Sequence, residues 1–374
     1  MKYYLIAGEA SGDLHASNLM KALKEEDGTA VFRCWGGDKM EAAGGHLVKH
    51  YREVAFMGFV EVLKNLSTIR QNIRFCKEDI QAFQPDVLIL IDYSGFNLRI
   101  AKWAKSFGQK VFYYIAPQVW ASRPKRTYTI KENVDEIFTI LPFEETFYEQ
   151  YDVPVNYVGH PLLDVTTTYP FQKNFVAQHQ LQLPYIALLP GSRKQEIRRI
   201  LPLLLTATKK FPTYQFVLAA APAISLEFYN VLIKEATVSQ GSIHIIQDAT
   251  YDILNNATAA IVTSGTATLE TALLDVPQIV VYKGSPITYQ IAKRVITVPY
   301  LSLVNLIADR PLVKELLQDE LSVDNLEKEL RLVLEPSRAK EIKEGYQIIK
   351  DQLGNAGASE RAAKLMVKYL TTEQ

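Results

Sequence analysis

Several short stretches crowd glycine, hydroxyl and charged residues into places where an apolar run gives way to a polar one. In Ala7-Gly-Glu-Ala-Ser-Gly-Asp13, Gly8 and Gly12 surround Glu9 and Ser11. Glycine at a strand-to-helix turn permits left-handed angles or close approach to a ligand, and the following helix offers unpaired N–H groups. The turn has the outline of a nucleotide loop. Its spacing, however, is Gly-x-x-x-Gly where the dinucleotide fingerprint needs Gly-x-Gly-x-x-Gly, and Glu9 would repel a pyrophosphate. No cofactor is assigned there. Asp92 ends the run Val87-Leu-Ile-Leu-Ile, as a candidate general base worth about 10²–10⁴ in rate, or else as a helix cap. Glu9 ends a neighbouring strand pattern, and two carboxylates at strand ends suggest an acid/base or sugar-hydroxyl site.

The second half carries different chemistry. Leu188-Leu-Pro-Gly-Ser-Arg193 ends a strand at a Pro-Gly turn and sets Ser192 and Arg193 at a helix entrance. There the guanidinium either reaches an anion with its forked donors or simply decorates the surface. In Ile261-Val-Thr-Ser-Gly-Thr266, Gly265 permits close approach, and the hydroxyls of Ser264 and Thr266 can cap the helix or bond phosphate oxygens. The helix N-terminus adds about half a unit of positive charge. Glu270, one to two turns on, is a candidate acceptor for a ribose diol or a solvated glutamate. Two anion-ready turns in one half favour a nucleotide. No Asp-x-Asp pair occurs, so Arg193 and helix N-termini would neutralise a diphosphate, and no metal is expected.

Three further features are open to two readings each. Tyr113 to Arg126 joins aromatics to Arg123, Lys125 and Arg126: a sugar and phosphate site, or a core strand followed by a solvated loop. Residues 54–70, with Phe56, Met57 and Phe59, carry more large apolar side chains than one buried helix face needs, and Lys64, Arg70, Arg74 and Lys77 lie nearby. They form a core helix or a dock for acyl chains or a membrane surface. His15 and His160 sit beside turns where a ligand could meet them; the other histidines have no metal-site context.

These residues need elements to hold them. Short apolar runs, among them Tyr3–Ala7, Val87–Ile91, Val111–Ile115, Ile186–Leu189, Phe216–Ala220, Ala259–Thr263 and Gln278–Tyr282, alternate with longer amphipathic segments. That pattern predicts buried parallel strands in right-handed βαβ units, hence two α/β, Rossmann-like doubly wound domains facing a central cleft. The expected boundaries are 1–165, completed by a terminal helix 350–374, and 166–349. Forty-one basic and 41 acidic residues cancel, so no global field favours nucleic acid. Two cysteines make neither a zinc site nor a disulfide framework, and no segment reaches the roughly 18 apolar residues of a spanning helix. A cytoplasmic chain, at most peripheral to a membrane, is expected.

Taken together, the motifs resemble the lipid-A-disaccharide synthases, inverting glycosyltransferases of the two-domain GT-B type. The resembling segments are AGEASGD (7–13), MGFVEVL (57–63), PDVLILID (85–92), APQVWA (116–121), LPFEETFY (141–148), VGHPLLD (158–164), LLPGSRKQEI (188–197), TSGTATLE (263–270) and SLVNLIADRPLVKELLQ (302–318). The resemblance implies transfer of 2,3-diacylglucosamine from UDP to 2,3-diacylglucosamine 1-phosphate (lipid X), in lipid A and lipopolysaccharide biosynthesis, without a cofactor. It places UDP in the second domain, with Arg193 facing the diphosphate, Gly265 and Thr266 lining its turn, and Glu270 and Asn305 holding the nucleotide. It makes Asp92 the base, puts Glu9 in a motif implicated in activity, and offers Ser11, Phe56, Met57 and Phe59 as acceptor or lipid contacts. The inner-membrane surface is an implied partner, and homo-oligomers are compatible with it. Tyr93-Ser-Gly95 and Ser122 depart from the family pattern, so acceptor contacts there are not carried over. A different GT-B enzyme, such as a UDP-sugar epimerase, and a non-catalytic sugar-nucleotide binder are the competing readings.

Overall fold

A computed structural model describes residues 1–53, 66–182, 184–236, 243–285, 289–290, 294 and 296–372. The chain divides into two units, Met1–Asp164 with the chain from Asn355 onward, and Val165–Gln290 with Val298–Gly354. Thr297 belongs to the first unit, donating its N–H to the Ala121 carbonyl at 3.0 Å.

Unit 1 contains β1 (Lys2–Ala7), β2 (Val31–Gly36), β3 (His46–His50), β4 (Val87–Ile91), β5 (Val111–Tyr114), β6 (Glu136–Thr139) and β7 (Asn156–Tyr157). They form one parallel sheet in the order β3-β2-β1-β4-β5-β6-β7. Unit 2 contains β8 (Tyr185–Leu189), β9 (Gln215–Ala220), β10 (Ile243–Gln247), β11 (Ala259–Thr263), β12 (Gln278–Tyr282) and β13 (Glu315–Leu317), again all parallel, in the order β10-β9-β8-β11-β12-β13. A parallel strand covered on both faces must be apolar throughout, and β4, β8 and β11 are buried at every residue. The apolar-run criterion misses β2, β3 and β13. β3 and β13 are edge strands with partly exposed residues, and β2 interrupts its apolar residues with a half-buried Arg33.

Both sheets reverse their strand order at one place, between β1 and β4 in unit 1 and between β8 and β11 in unit 2. Chains leaving neighbouring strands there turn to opposite faces, which opens a crevice beyond the carboxyl ends where open α/β sheets bind ligands.

The helix Ala358–Thr372 packs against the helix Ala10–Glu26, burying Ala358, Ala362, Met366 and Leu370 at four-residue spacing. The Asp164 carboxylate accepts the N–H groups of Gly357, Ala358 and Ser359 at 2.6, 3.1 and 3.0 Å. Those donors have no intrahelical partner, so the aspartate completes the helix start with both hydrogen bonds and charge. Among the described residues, no helix is long and apolar enough to cross a membrane.

Candidate functional site

In unit 1, Ala7 of β1 pairs in register with Ile91 of β4, so Gly8-Glu9 and Asp92-Tyr93 leave adjacent strands at the reversal. The two motifs interlock. A Cβ on Gly8 would lie 2.3 Å from Cγ of Tyr93, so only a bare backbone fits under that ring. The ring also stacks on Phe96, with centroids 5.3 Å apart. Burial, and then the charge of Glu9, push the Tyr93 hydroxyl up to about 12, which places the Glu9 carboxylate within electrostatic reach of that ring. Ser11 is half-buried in the first turn of Ala10–Glu26, beside Glu9.

Asp92 and Tyr93 both hold left-handed angles, φ +43° and +45°. Such angles cost a non-glycine residue about 1–2 kcal/mol and persist only where neighbours enforce them. The enforcing groups are Asn97 and Tyr113. Asn97 Nδ2 donates to the carbonyls of Asp92 at 2.9 Å and Ile91 at 3.2 Å, and the Tyr113 hydroxyl also donates to the Asp92 carbonyl. The Asp92 side chain reaches solvent, yet protein atoms crowd its remaining sides, and this desolvation raises its pKa against a partial offset from the Tyr93 N–H. A raised pKa moves a carboxylate toward the range useful to a base.

Other residues of these motifs are structural. Asp13 is buried and accepts the N–H groups of Gly37, Lys39 and Met40 at 2.7, 3.2 and 3.1 Å, capping the helix Asp38–Ala42. His15 and His160, which sit beside turns where a ligand could meet them, are buried: burial lowers His15 to about 4, and burial together with His15 lowers His160 to about 3, so both are neutral. Tyr113, Tyr114 and Trp120 offer no stacking faces, being buried in the core. Trp120 Nε1 donates to Glu144 at 3.1 Å, and Glu144 also accepts from Ile140 and Leu141, which ties APQVWA to LPFEETFY.

In unit 2 the two anion-ready turns follow β8 and β11, the strands that flank its own reversal. Gly191 has φ +113°, and Arg193 enters the helix Lys194–Thr208 with its guanidinium held 3.0 Å from Glu196. Ser192 is exposed at this entrance. Gly265 has φ +156° and ψ −163°, a region essentially restricted to glycine, and the space beside its Cα is open. Expected hydroxyl capping is absent: Gly265 itself is the cap residue of the helix Thr266–Leu273, and Ser264 Oγ donates to the Leu301 carbonyl at 3.2 Å. Thr266 is therefore the first helical residue, half-buried beside Gly265.

Glu270 lies further along the same helix. It accepts the Tyr251 hydroxyl at 3.0 Å, and burial raises its pKa. Asn305, which the resemblance has help hold the nucleotide, has its side-chain amide engaged within the protein. It is buried, donating to the Val313 carbonyl and to Glu315 and accepting the Val313 N–H, all at 2.9–3.0 Å. Glu315 also accepts from Leu301 and Ser302, so Asn305 braces the loop that Ser264 touches.

A family model described as lipid-A-disaccharide synthetase matches residues 3–368. The chain belongs to the lipid-A-disaccharide synthetase family. It is 40% identical to the lipid-A-disaccharide synthase of Syntrophus aciditrophicus, covering 98% of this chain and 97% of that protein. It is 37% identical to that of Geobacter sulfurreducens, covering 98% and 96%. Among solved structures, it resembles a UDP-GlcNAc 2-epimerase from Neisseria meningitidis bound to UDP-GlcNAc, with TM-score 0.71, 14% identity, and coverage of 98% of this chain and 100% of that one. That likeness shows the shared GT-B type fold.

Membership in the lipid-A-disaccharide synthetase family bears out the resemblance carried by the motifs, and with it the assignment to glycosyl transfer in lipid A biosynthesis. Phe56, Met57 and Phe59 lie outside the described residues. Sequence reasoning missed Asn97, Tyr251 and Glu315, which touch the candidate residues and hold them. The available signal was their position, since Asn97 falls five residues after Asp92, on the turn of helix that faces back toward the strand end.

Proposed function

We propose that this chain transfers 2,3-diacylglucosamine from its UDP derivative to the 6-hydroxyl of 2,3-diacylglucosamine 1-phosphate. The products are the β-1,6-linked disaccharide 1-phosphate and UDP. The observation that carries this reading is the division of chemistry between the two sheet reversals. In unit 1 a base-type carboxylate and Glu9 flank the reversal; in unit 2 two anion-ready turns do.

Asp92 takes the proton from the acceptor 6-hydroxyl as its oxygen attacks the anomeric carbon. The bond from that carbon to the UDP oxygen breaks, inverting the configuration in one displacement, so one base suffices. Arg193 and the helix entrances at Arg193 and Gly265 stabilise the charge leaving on UDP. Glu270, oriented by Tyr251, accepts from the ribose. Glu9 and Ser11 face the acceptor or transferred sugar. The acyl chains give Phe56, Met57 and Phe59 a use at the inner-membrane surface.

The test is product formation from both acylated glucosamines, with and without a chelator, on the unsubstituted protein and on Asp92→Asn. Disaccharide should form in either condition. Asp92→Asn should cut kcat by about 10²–10⁴ while leaving UDP affinity unchanged. Because a base must be ionised, the rate should rise with pH through a pKa above the ordinary carboxylate value of 3.8, and this limb should vanish in Asp92→Asn. Undiminished turnover in that variant would remove Asp92 from the role.

A further inference from the structure

The acceptor carries a phosphate, and the residues assigned so far provide it no partner. We infer that Arg99, Arg123 and Arg126 form the site in unit 1 that recognises the anomeric phosphate monoester of the acceptor. This rests on the proposed function and adds the determinant that selects a phosphorylated acceptor.

Placement is the first support. Asp92 follows β4 and the loop holding Arg123 and Arg126 follows β5, the neighbouring strand, so all lie along the same carboxyl rim. Arg99 stands exposed in the helix Ser94–Lys105, which begins two residues after Asp92 and packs against the helix Arg126–Asn133. The turn is fixed by the Arg126 N–H donating to the Arg123 carbonyl at 2.9 Å. The Tyr113 hydroxyl, bonded to the Asp92 carbonyl, feels both the Asp92 charge and the Arg126 charge, so the cationic cluster begins next to the proposed base.

Charge is the second support. Among the described residues, no carboxylate pairs with Arg99, Arg123 or Arg126. Six other arginines, Arg33, Arg52, Arg74, Arg193, Arg331 and Arg338, each have a carboxylate within salt-bridge distance. Arg126 is half-buried, and its pKa is lowered by burial and by the like charges of Arg123 and Arg99. Three convergent cations without a counterion repel one another, and a phosphate monoester relieves that repulsion with forked, charge-assisted hydrogen bonds. In the acceptor sugar the phosphate and the 6-hydroxyl are attached on either side of the ring oxygen, so one pyranose would span from the cluster to Asp92.

The experiment uses short-chain, water-soluble acceptors with and without the anomeric phosphate, on the full chain and on Arg99→Gln, Arg123→Gln and Arg126→Gln. Each variant should lose about ten- to a hundredfold in kcat/KM on the phosphorylated acceptor and nothing on the dephosphorylated one, with the donor KM unchanged. Arg126→Lys should restore part of the loss. Arg99 is exposed, so Arg99→Gln reads the site even where Arg126→Gln impairs folding. Equal losses on both acceptors, or no loss on either, would overturn the assignment. A loss seen only when the acceptor is presented in anionic vesicles would also overturn it, assigning the cations to membrane phosphates instead. Calorimetric binding of the two acceptors reads the phosphate preference independently of turnover, so a protein that binds selectively but forms no disaccharide contradicts the proposed reaction and not this site.

Discussion

Asp92 and Tyr93 spend backbone free energy to sit where they do. Two consecutive left-handed residues are held by the amide of Asn97 and the hydroxyl of Tyr113. Those donors hold the Asp92 backbone, so they set the carboxylate's direction without touching substrate. Tyr113→Phe removes one hydrogen bond from a buried site and should cost about 0.5–1.5 kcal/mol of stability. Its larger effect should be on kcat, falling severalfold with KM for the donor unchanged. Asn97→Ala strips two strand-end carbonyls of their donor and should do more on both counts. Steady-state kinetics beside urea unfolding separates the two effects, and variants that lost stability with kcat intact would deny these residues a positioning role.

At the scale of elements, the tight joins are between turns and the backbones they cover. Gly8→Ala pushes a methyl into the Tyr93 ring, which must swing off its stack with Phe96 and take the Asp92 turn with it. Activity should fall at least tenfold, and adding Tyr93→Ala should recover part of the stability, measured as a coupling in a double-mutant cycle. Simple additivity of the two substitutions would show that the clash is absorbed elsewhere. The strands that place these turns were legible in sequence because Val87–Ile91, Tyr185–Leu189 and Ala259–Thr263 are continuous apolar runs, a direct result of burial on both faces. Edge strands His46–His50 and Glu315–Leu317 were not, since one open side removes the need for apolar residues. Among the candidate residues, the places of Asp92 and Gly265 in turns at strand ends could be read from spacing, because Asp92 follows Ile91 directly and Gly265 stands two residues past Thr263. His15, His160 and Trp120 could not, because a residue beside a turn looks the same in sequence whether it faces water or the core. The bracing by Asn305 could not be read either: its amide is occupied by Val313 and Glu315, partners eight and ten residues away that no local pattern links to it.

At the scale of the whole molecule, buried titratable groups should shape stability against pH. His15 and His160 stay neutral in the folded chain, with pKa values of about 4 and about 3 against an ordinary 6.5. Unfolded chains bind those protons first, so stability is complete above pH 6.5 and is lost as pH falls toward 4 and 3, by roughly 2 kcal/mol per histidine at pH 5. Glu144 runs the other way. Burial raises it from 4.5 to about 7, so its contribution is complete below pH 4.5 and is lost as pH rises through 7. The two effects oppose each other between about pH 4.5 and 6.5, and below that range the Glu144 offset grows no further. Urea unfolding across pH should therefore show a shallow slope that steepens below about pH 4.5, and Glu144→Gln should expose the steep histidine slope from pH 6.5 downward. A profile flat to pH 3.5 in both proteins would mean these histidines accept protons in the folded state.

Asp164 gripping the start of Ala358–Thr372 has a consequence for how the protein is made. The sheet of unit 1 is translated within the first half of the chain, but the helix that covers Ala10–Glu26 is not available until residues 358–372 have left the ribosome. All of unit 2, by contrast, has emerged by then. The second unit can therefore finish folding while the first still exposes the apolar face of its first helix, and the nascent chain depends longest on chaperone protection at its oldest segment.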